Sequence, residues 1–145
     1  MQHALKTQGV SIPRLGLGTF RVPNEDCQPV VESALALGYR HIDTAAMYAN
    51  EAAVGAAIAA SGLPRDEIFV TTKVWHDQLA PQAVPQALEH SLAKLKLDYV
   101  DLYLVHWPAP GMDMAATMEA MIALRESGRV RAIGVSSVEK MSGRL

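Results

Sequence analysis

VDLYLVHW, residues 100–107, is a short run in which apolar residues dominate and which ends on a histidine and a tryptophan. A run of this length and character reads as a strand covered on both faces, as parallel strands are. Working outward from Val100–His106, the same arrangement recurs: Leu15–Gly18, His41–Thr44, Ile68–Lys73 and Ala132–Ser136 are further strand candidates. Helical patterns fill the gaps between them. The strand ends Gly18, Asp43, Lys73, His106 and Ser136 lie 25, 30, 33 and 30 residues apart. That period is close to the ~31 residues per unit of an eight-unit barrel of ~250 residues.

The intervening helices carry their own signals. Asn24 is placed to cap the first, with Glu25 and Asp26 in its first turn, apolar positions at Cys27, Val30, Val31, Ala34 and Leu35, and Gly38 as its stop. A second begins near Asn50, buries Val54, Ala57 and Ile58, and stops at Gly62 and Pro64. A third presents Val84, Leu88, Ser91, Leu92 and Leu95 on one side, and a fourth presents Met114, Met118, Met121 and Ile122 before Gly128. Methionines at three- and four-residue steps are core filler. Ahead of all this, Ala4–Lys6 and Val10–Ile12 flank "TQG" as a hairpin.

Parallel strands joined by helices leave a doubly wound sheet or a (β/α)8 barrel. A doubly wound sheet calls for a glycine fingerprint in its first turn, and "LGLGTF" has two glycines, lacks the third and is not followed at once by a helix. The barrel is therefore expected, cut to about five strands and four helices. The whole of 1–145 reads as one partial domain, with the hairpin in 1–14, βα units over 15–137 and a short tail at 138–145.

Half the residues are hydrophobic and the formal net charge is −2, enough apolar material for a core and no basic patch for nucleic acid or an anionic membrane. The one cysteine, Cys27, has no internal disulfide partner and falls on a buried helical stripe. No leader-like N-terminus and no stretch of bilayer-spanning length are present, and a cytoplasmic protein is expected.

Barrels assemble their sites from the strand ends. Asp43, Lys73 and His106 would then converge on one mouth, with Tyr48 in the loop after the second strand. A phenol with an ordinary pKa of about 10 is a poor proton donor near neutrality, and a neighbouring ammonium favours its phenolate. Lys73 can supply that ammonium and Asp43 can keep it charged, while His106 can hydrogen-bond a substrate oxygen. Such a set protonates an oxygen on which negative charge develops, as when hydride reaches a carbonyl carbon. Phe20, Tyr48, Trp75 and Trp107 fall just past strand ends, where they would line an apolar cleft. Taken singly, each polar residue has a plain structural role open to it, Asp43 as a turn cap and Lys73 on the surface. His41 reads as packing. His3, His76 and His90 lack ligand spacing, so no metal is expected, and a metal-dependent hydrolase is disfavoured.

These stretches resemble successive signatures of the aldo-keto reductase superfamily: "LGLGTF", "GYRHIDTAAMYANEAAVGAAI", "PRDEIFVTTKVW", "LKLDYVDLYLVHWP" and "AIGVSS" occur in that order. Within it the chain is most similar to the bacterial 2,5-diketo-D-gluconate and methylglyoxal reductase branch. The resemblance implies NADPH as cofactor, a small carbonyl substrate, and Asp43, Tyr48, Lys73 and His106 as the catalytic set with Tyr48 giving the proton. It also implies cofactor contacts at Thr19, Asp43, Ser136 and Ser137, and substrate contacts at Phe20, Tyr48, Trp75, His106 and Trp107.

The chain departs from the family pattern in two places. Ser136, Ser137 and Val138 stand where the family reads Ser-Asn-Phe, at the contact to the nicotinamide amide. The family's stacking tyrosine, amide-binding glutamine and basic phosphate loop belong to a region after the fifth strand. A truncated chain is expected on that ground, with a catalytically inactive remnant or binding subunit as the alternative, and self-association through open barrel edges.

Overall fold

The computed structural model describes residues 3–136. Strands β1 (Ala4–Thr7) and β2 (Val10–Pro13) form an antiparallel hairpin in which Thr7 faces Val10. Its two-residue turn, Gln8 and Gly9, has φ values of 48° and 77°, the left-handed geometry that matches the twist of the strands it joins.

The chain then alternates: β3 (Leu17–Gly18), α1 (Asn24–Ala36), β4 (His41–Asp43), α2 (Glu51–Ala60), β5 (Phe69–Val74), α3 (Ala83–Leu95), β6 (Val100–Val105), α4 (Met114–Glu126) and β7 (Val130–Val135). The five later strands pair in parallel in the order β3-β4-β5-β6-β7. A doubly wound sheet reverses its strand order at a switch point. Here every helix instead carries the chain to the next neighbour, which is the winding of a (β/α)8 barrel. The expected α/β architecture is thus the one found, over five parallel strands and four helices behind an N-terminal hairpin.

Strand side chains alternate between two faces, and both are covered. Val70 and Val74 of β5 join Val54, Leu88 and Leu92 in the core between sheet and helices. Phe69 instead packs with Ala132 of β7 and Val10 of the hairpin, with Ile12 and Leu102 against them. The hairpin therefore plugs the concave face. At the N-terminal ends of the strands, the buried Asp101 carboxylate accepts from Arg65 (2.8 Å), Arg131 (3.1 Å) and the Val70 amide (2.9 Å).

Several sequence expectations shift in detail. Asn24 is the first helical residue and Pro23 holds the cap position without a side-chain bond, so the proline's fixed φ starts α1. Val30 is 40% exposed because the buried face of α1 runs through Cys27, Val31, Ala34 and Leu35, and Ile122 is 37% exposed because that of α4 runs through Thr117, Met121 and Leu124. Asn50 precedes α2 as expected, yet its side chain does not cap the helix. Cys27 is fully buried, and burial pushes its thiol up. The proposed contact residue Ser137 and the tail 138–145 lie outside the described residues.

Candidate active site

The C-terminal strand ends carry the chemistry because parallel pairing brings them level. Gly18 pairs with Asp43, Asp43 with Thr71, and Lys73 with Leu104. The ladder continues one residue beyond the strands: the His106 amide donates to the Val74 carbonyl (3.0 Å), and the Ser136 amide to that of Val105 (2.9 Å).

Between β4 and α2 a tight 3-10 turn, Ala46–Tyr48, swings the phenol back over these ends. Ala49 closes the turn at φ 57°, a left-handed position. All four predicted residues meet. The buried Lys73 ammonium donates to the Asp43 carboxylate, to the Thr44 carbonyl (3.0 Å) and to the Tyr48 hydroxyl (3.3 Å). An ammonium has three N–H donors, and each has an acceptor here. Tyr48 packs edge-on against His106, with ring centres 5.5 Å apart.

His106 is buried, and its Nδ1 has no hydrogen-bond partner among the described residues. Burial lowers its pKa and the Lys73 charge lowers it further, while Asp43 pulls the other way. The imidazole is therefore held neutral near pH 7, able to offer a neutral N–H to an oxygen.

Aromatic rings cluster beside these strand ends, though of the four expected to line a cleft only Tyr48 borders the one that holds Asp43 and Lys73. Phe20 sits 5.2 Å from Tyr48, and Trp75 lies 5.1 Å from His106 and 5.2 Å from Trp107. A cleft of about 650 Å³ runs from Asp43, Tyr48, Lys73 and Gly18 down the concave face to Leu5 and Ile12 of the hairpin. A side chain at Gly18 would meet nothing within 4 Å, so the backbone there leaves the mouth open.

The remaining predicted residues have different surroundings. Ser136 is exposed at the end of β7. Thr19 is fully buried, with its hydroxyl 3.2 Å from the Asp43 carbonyl and 3.3 Å from Asn50 Oδ1, so it holds the loop after β3 from within. His41 is packing, as expected: its ring bridges the Pro13 carbonyl (3.1 Å) and the Thr71 hydroxyl (2.8 Å).

Sequence reasoning missed Asn50 and Glu51 as site residues. Both are 1% exposed. Glu51 accepts from Thr72 (2.7 Å) and Ser91 (3.2 Å), and desolvation raises its pKa against the pull of those bonds and of Lys94. The signal was present: α2 reads EAAVGAAIAA, and its one polar residue lies at helical spacing from Val54 and Ile58.

The arc of parallel strands, with an acid, an ammonium, a phenol and an imidazole at its C-terminal ends, defines a barrel-type α/β protein whose mouth can move a proton. Residues 14–142 match the model of the aldo/keto reductase family, and the chain belongs to that family. It is 48% identical over 132 residues to an aldo-keto reductase of Mycobacterium sp. strain KMS, covering 90% of this chain and 48% of the relative. It is 49% identical over 138 residues to the methylglyoxal reductase DkgA of Yersinia pestis, covering 93% of this chain and 49% of that protein. A solved aldo/keto reductase from Brucella melitensis superposes with a TM-score of 0.92 at 45% identity, over 97% of this chain and 56% of that one. The chain thus spans about half the length of the curated relatives it matches.

Among the described residues, no helix is long and apolar enough to cross a membrane.

Proposed function

We propose that the chain carries the proton-donating half of a carbonyl reductase that converts small aldehydes, ketoaldehydes or keto sugars to alcohols with NADPH. One observation carries the reading. Lys73 donates its N–H to the Tyr48 oxygen, so the phenol's own O–H is left to point at a substrate oxygen. When that proton leaves, the ammonium stands beside the phenolate and stabilises it, and Asp43 keeps the ammonium charged. His106, neutral and buried beside Tyr48, orients the carbonyl oxygen by hydrogen bonding. We assign Trp75, Trp107 and Phe20 to the surroundings of the substrate, Trp75 packing directly on His106.

The open mouth fits a nicotinamide: Gly18 presents no side chain, and the cleft lies in the ~300–1,000 Å³ range of small-molecule sites. NADPH, when bound, supplies the hydride to the carbonyl carbon. We assign the exposed Ser136 and Asp43 to its nicotinamide end, with Ser137 beside Ser136 in sequence. The similarity to proteins named methylglyoxal reductases supports a ketoaldehyde as substrate.

The test follows NADPH oxidation with methylglyoxal in the native chain and in Tyr48→Phe. Turnover lost by about 10²-fold or more on substitution is the expected outcome. Absence of both NADPH binding and turnover in the native chain would overturn the reading.

We also propose that the chain self-associates. Among the described residues β3 and β7 each pair on one side only, and Leu5 is 54% exposed in the concave cleft.

A further inference from the structure

Asn50 occupies the residue before α2, where an asparagine ordinarily turns its side chain onto the first helical amides. Here it does not. Its amide is buried between three backbone segments and is bonded on both sides. Oδ1 accepts from the Thr44 hydroxyl (2.8 Å) and lies 3.3 Å from that of Thr19, while Nδ2 donates to the carbonyls of Thr19 (2.9 Å) and Val22 (3.1 Å). The two carbonyls can only accept, so this is the one amide orientation that satisfies the set.

The segments it joins converge on Lys73. Thr44 follows Asp43, and its carbonyl accepts one of the three Lys73 N–H groups. The direction of that carbonyl is set at two points: the Thr44 amide donates to Thr71 of β5, and the Thr44 hydroxyl donates to Asn50. On the other side, Asn50 stands two residues after Tyr48, across the left-handed Ala49. One buried amide therefore links the acceptor of Lys73 to the turn that carries Tyr48. The next residue reinforces the link, since Glu51 accepts from Thr72, the neighbour of Lys73.

We infer that Asn50 is a positioning residue: through Thr44 and the Ala46–Tyr48 turn, it holds the third Lys73 N–H on the Tyr48 oxygen. The inference rests on the proposed role of Tyr48 for its catalytic consequence, but the geometry it concerns is that of the protein alone. A plain packing role for Asn50 would cost stability and leave the Lys73–Tyr48 contact intact. A positioning role loosens that contact even in a variant that folds well.

Thr44→Val is the cleanest probe, because it keeps the carbonyl and the shape of the side chain and removes only the hydroxyl that meets Asn50. Asn50→Ala removes the whole link, and Thr44→Ser restores the hydroxyl. Each is assayed for reduction of methylglyoxal by NADPH, and the Lys73–Tyr48 separation is measured from a crystal structure of each variant. Expected are a kcat lowered about tenfold in Asn50→Ala and severalfold in Thr44→Val, with KM nearly unchanged. Thr44→Ser should recover to within about twofold of the native kcat. In the crystals, the Lys73–Tyr48 contact should open beyond hydrogen-bond distance in the first two variants and persist in the third.

If Asn50→Ala fails to fold, Thr44→Val decides. If the native chain has no turnover, the proposed function fails, and the crystal distances still decide the role of Asn50. An unchanged Lys73–Tyr48 contact in Thr44→Val would overturn the inference.

Discussion

The Lys73 ammonium lies 3.3 Å from the Tyr48 hydroxyl oxygen and donates to it. Donation in that direction decides what the phenol can do. With its oxygen accepting from lysine, Tyr48 keeps its own O–H to donate outward, as the proposed role of proton donor requires. The same ammonium sits 5.0 Å from the centre of the Tyr48 ring.

Lys73→Met keeps most of the apolar stem and removes the charge. The expected result is a loss of NADPH-dependent reduction of about 10²-fold or more, since the phenolate left by proton transfer loses its adjacent cation. Asp43 becomes an acid without its partner but keeps a side chain 37% exposed to solvent, so the fold should survive. Steady-state kinetics beside thermal melting check both halves. Activity within a few-fold of native in a folded variant would count against Lys73 as the tuning group.

The tetrad was legible in the sequence because each member sits at a strand end or the loop after it, and parallel pairing leaves little freedom in where such ends point. Asn50 and Glu51 were not, because their roles depend on partners 21 to 40 residues away: Thr19 and Val22 for one, Thr72 and Ser91 for the other. An asparagine ahead of a helix reads as a cap from local sequence, and only the packing of three loops shows that its amide points elsewhere. The buried face of α4 was misread for a similar reason. Its apolar residues surround more than one side of the helix, and Thr117, bonded to the Leu79 carbonyl at 2.6 Å, takes a core position that hydrophobicity alone assigns to Ile122.

Glu51 gives the fold a pH dependence of definite sign. Desolvation raises its pKa above the ordinary 4.5. Between the unfolded and folded values the native protein holds more protons than the unfolded chain, so stability is full below about pH 4.5 and is lost as pH rises through the raised value. Glu51→Gln keeps one oxygen to accept from Thr72 or Ser91, turns an N–H toward the other hydroxyl, and removes the titration. Urea midpoints measured from about pH 4 to about pH 8 should decline less steeply in the variant than in the native chain. Parallel profiles would mean that the carboxyl titrates alike in both states.

Gly55 marks where α2 and α3 come closest. A Cβ placed there would sit 2.2 Å from the Leu95 carbonyl oxygen, and that oxygen belongs to backbone. In an exposed helix, Gly→Ala stabilises by about 1 kcal/mol through propensity. Here the clash must be relieved by moving a helix, and overpacking of this kind costs about 1–3 kcal/mol. Gly55→Ala is therefore expected to lower stability by a net of up to ~2 kcal/mol, read from denaturant melts, and a stabilised variant would show that α3 can withdraw freely.

Gln8, at the tip of the hairpin, closes part of the open sheet. Its side-chain amide accepts from the Ile133 amide (3.1 Å) and donates to the Ile133 carbonyl (2.9 Å), as a neighbouring strand would, and Arg125 donates to Gln8 Oε1 at 2.8 Å. One residue of the β7 edge is thus paired by a side chain. Free strand edges recruit other chains, and removing this cover should add to whatever association the concave face already drives. Sedimentation over a range of concentrations should show reversible oligomers for the native chain and a shift to larger species for Gln8→Ala. Arg125→Ala, which releases Gln8 while keeping its amide, should fall between the two. A compact monomer at every concentration for all three would sink the proposal of self-association, and identical oligomers in all three would place the contact away from β7.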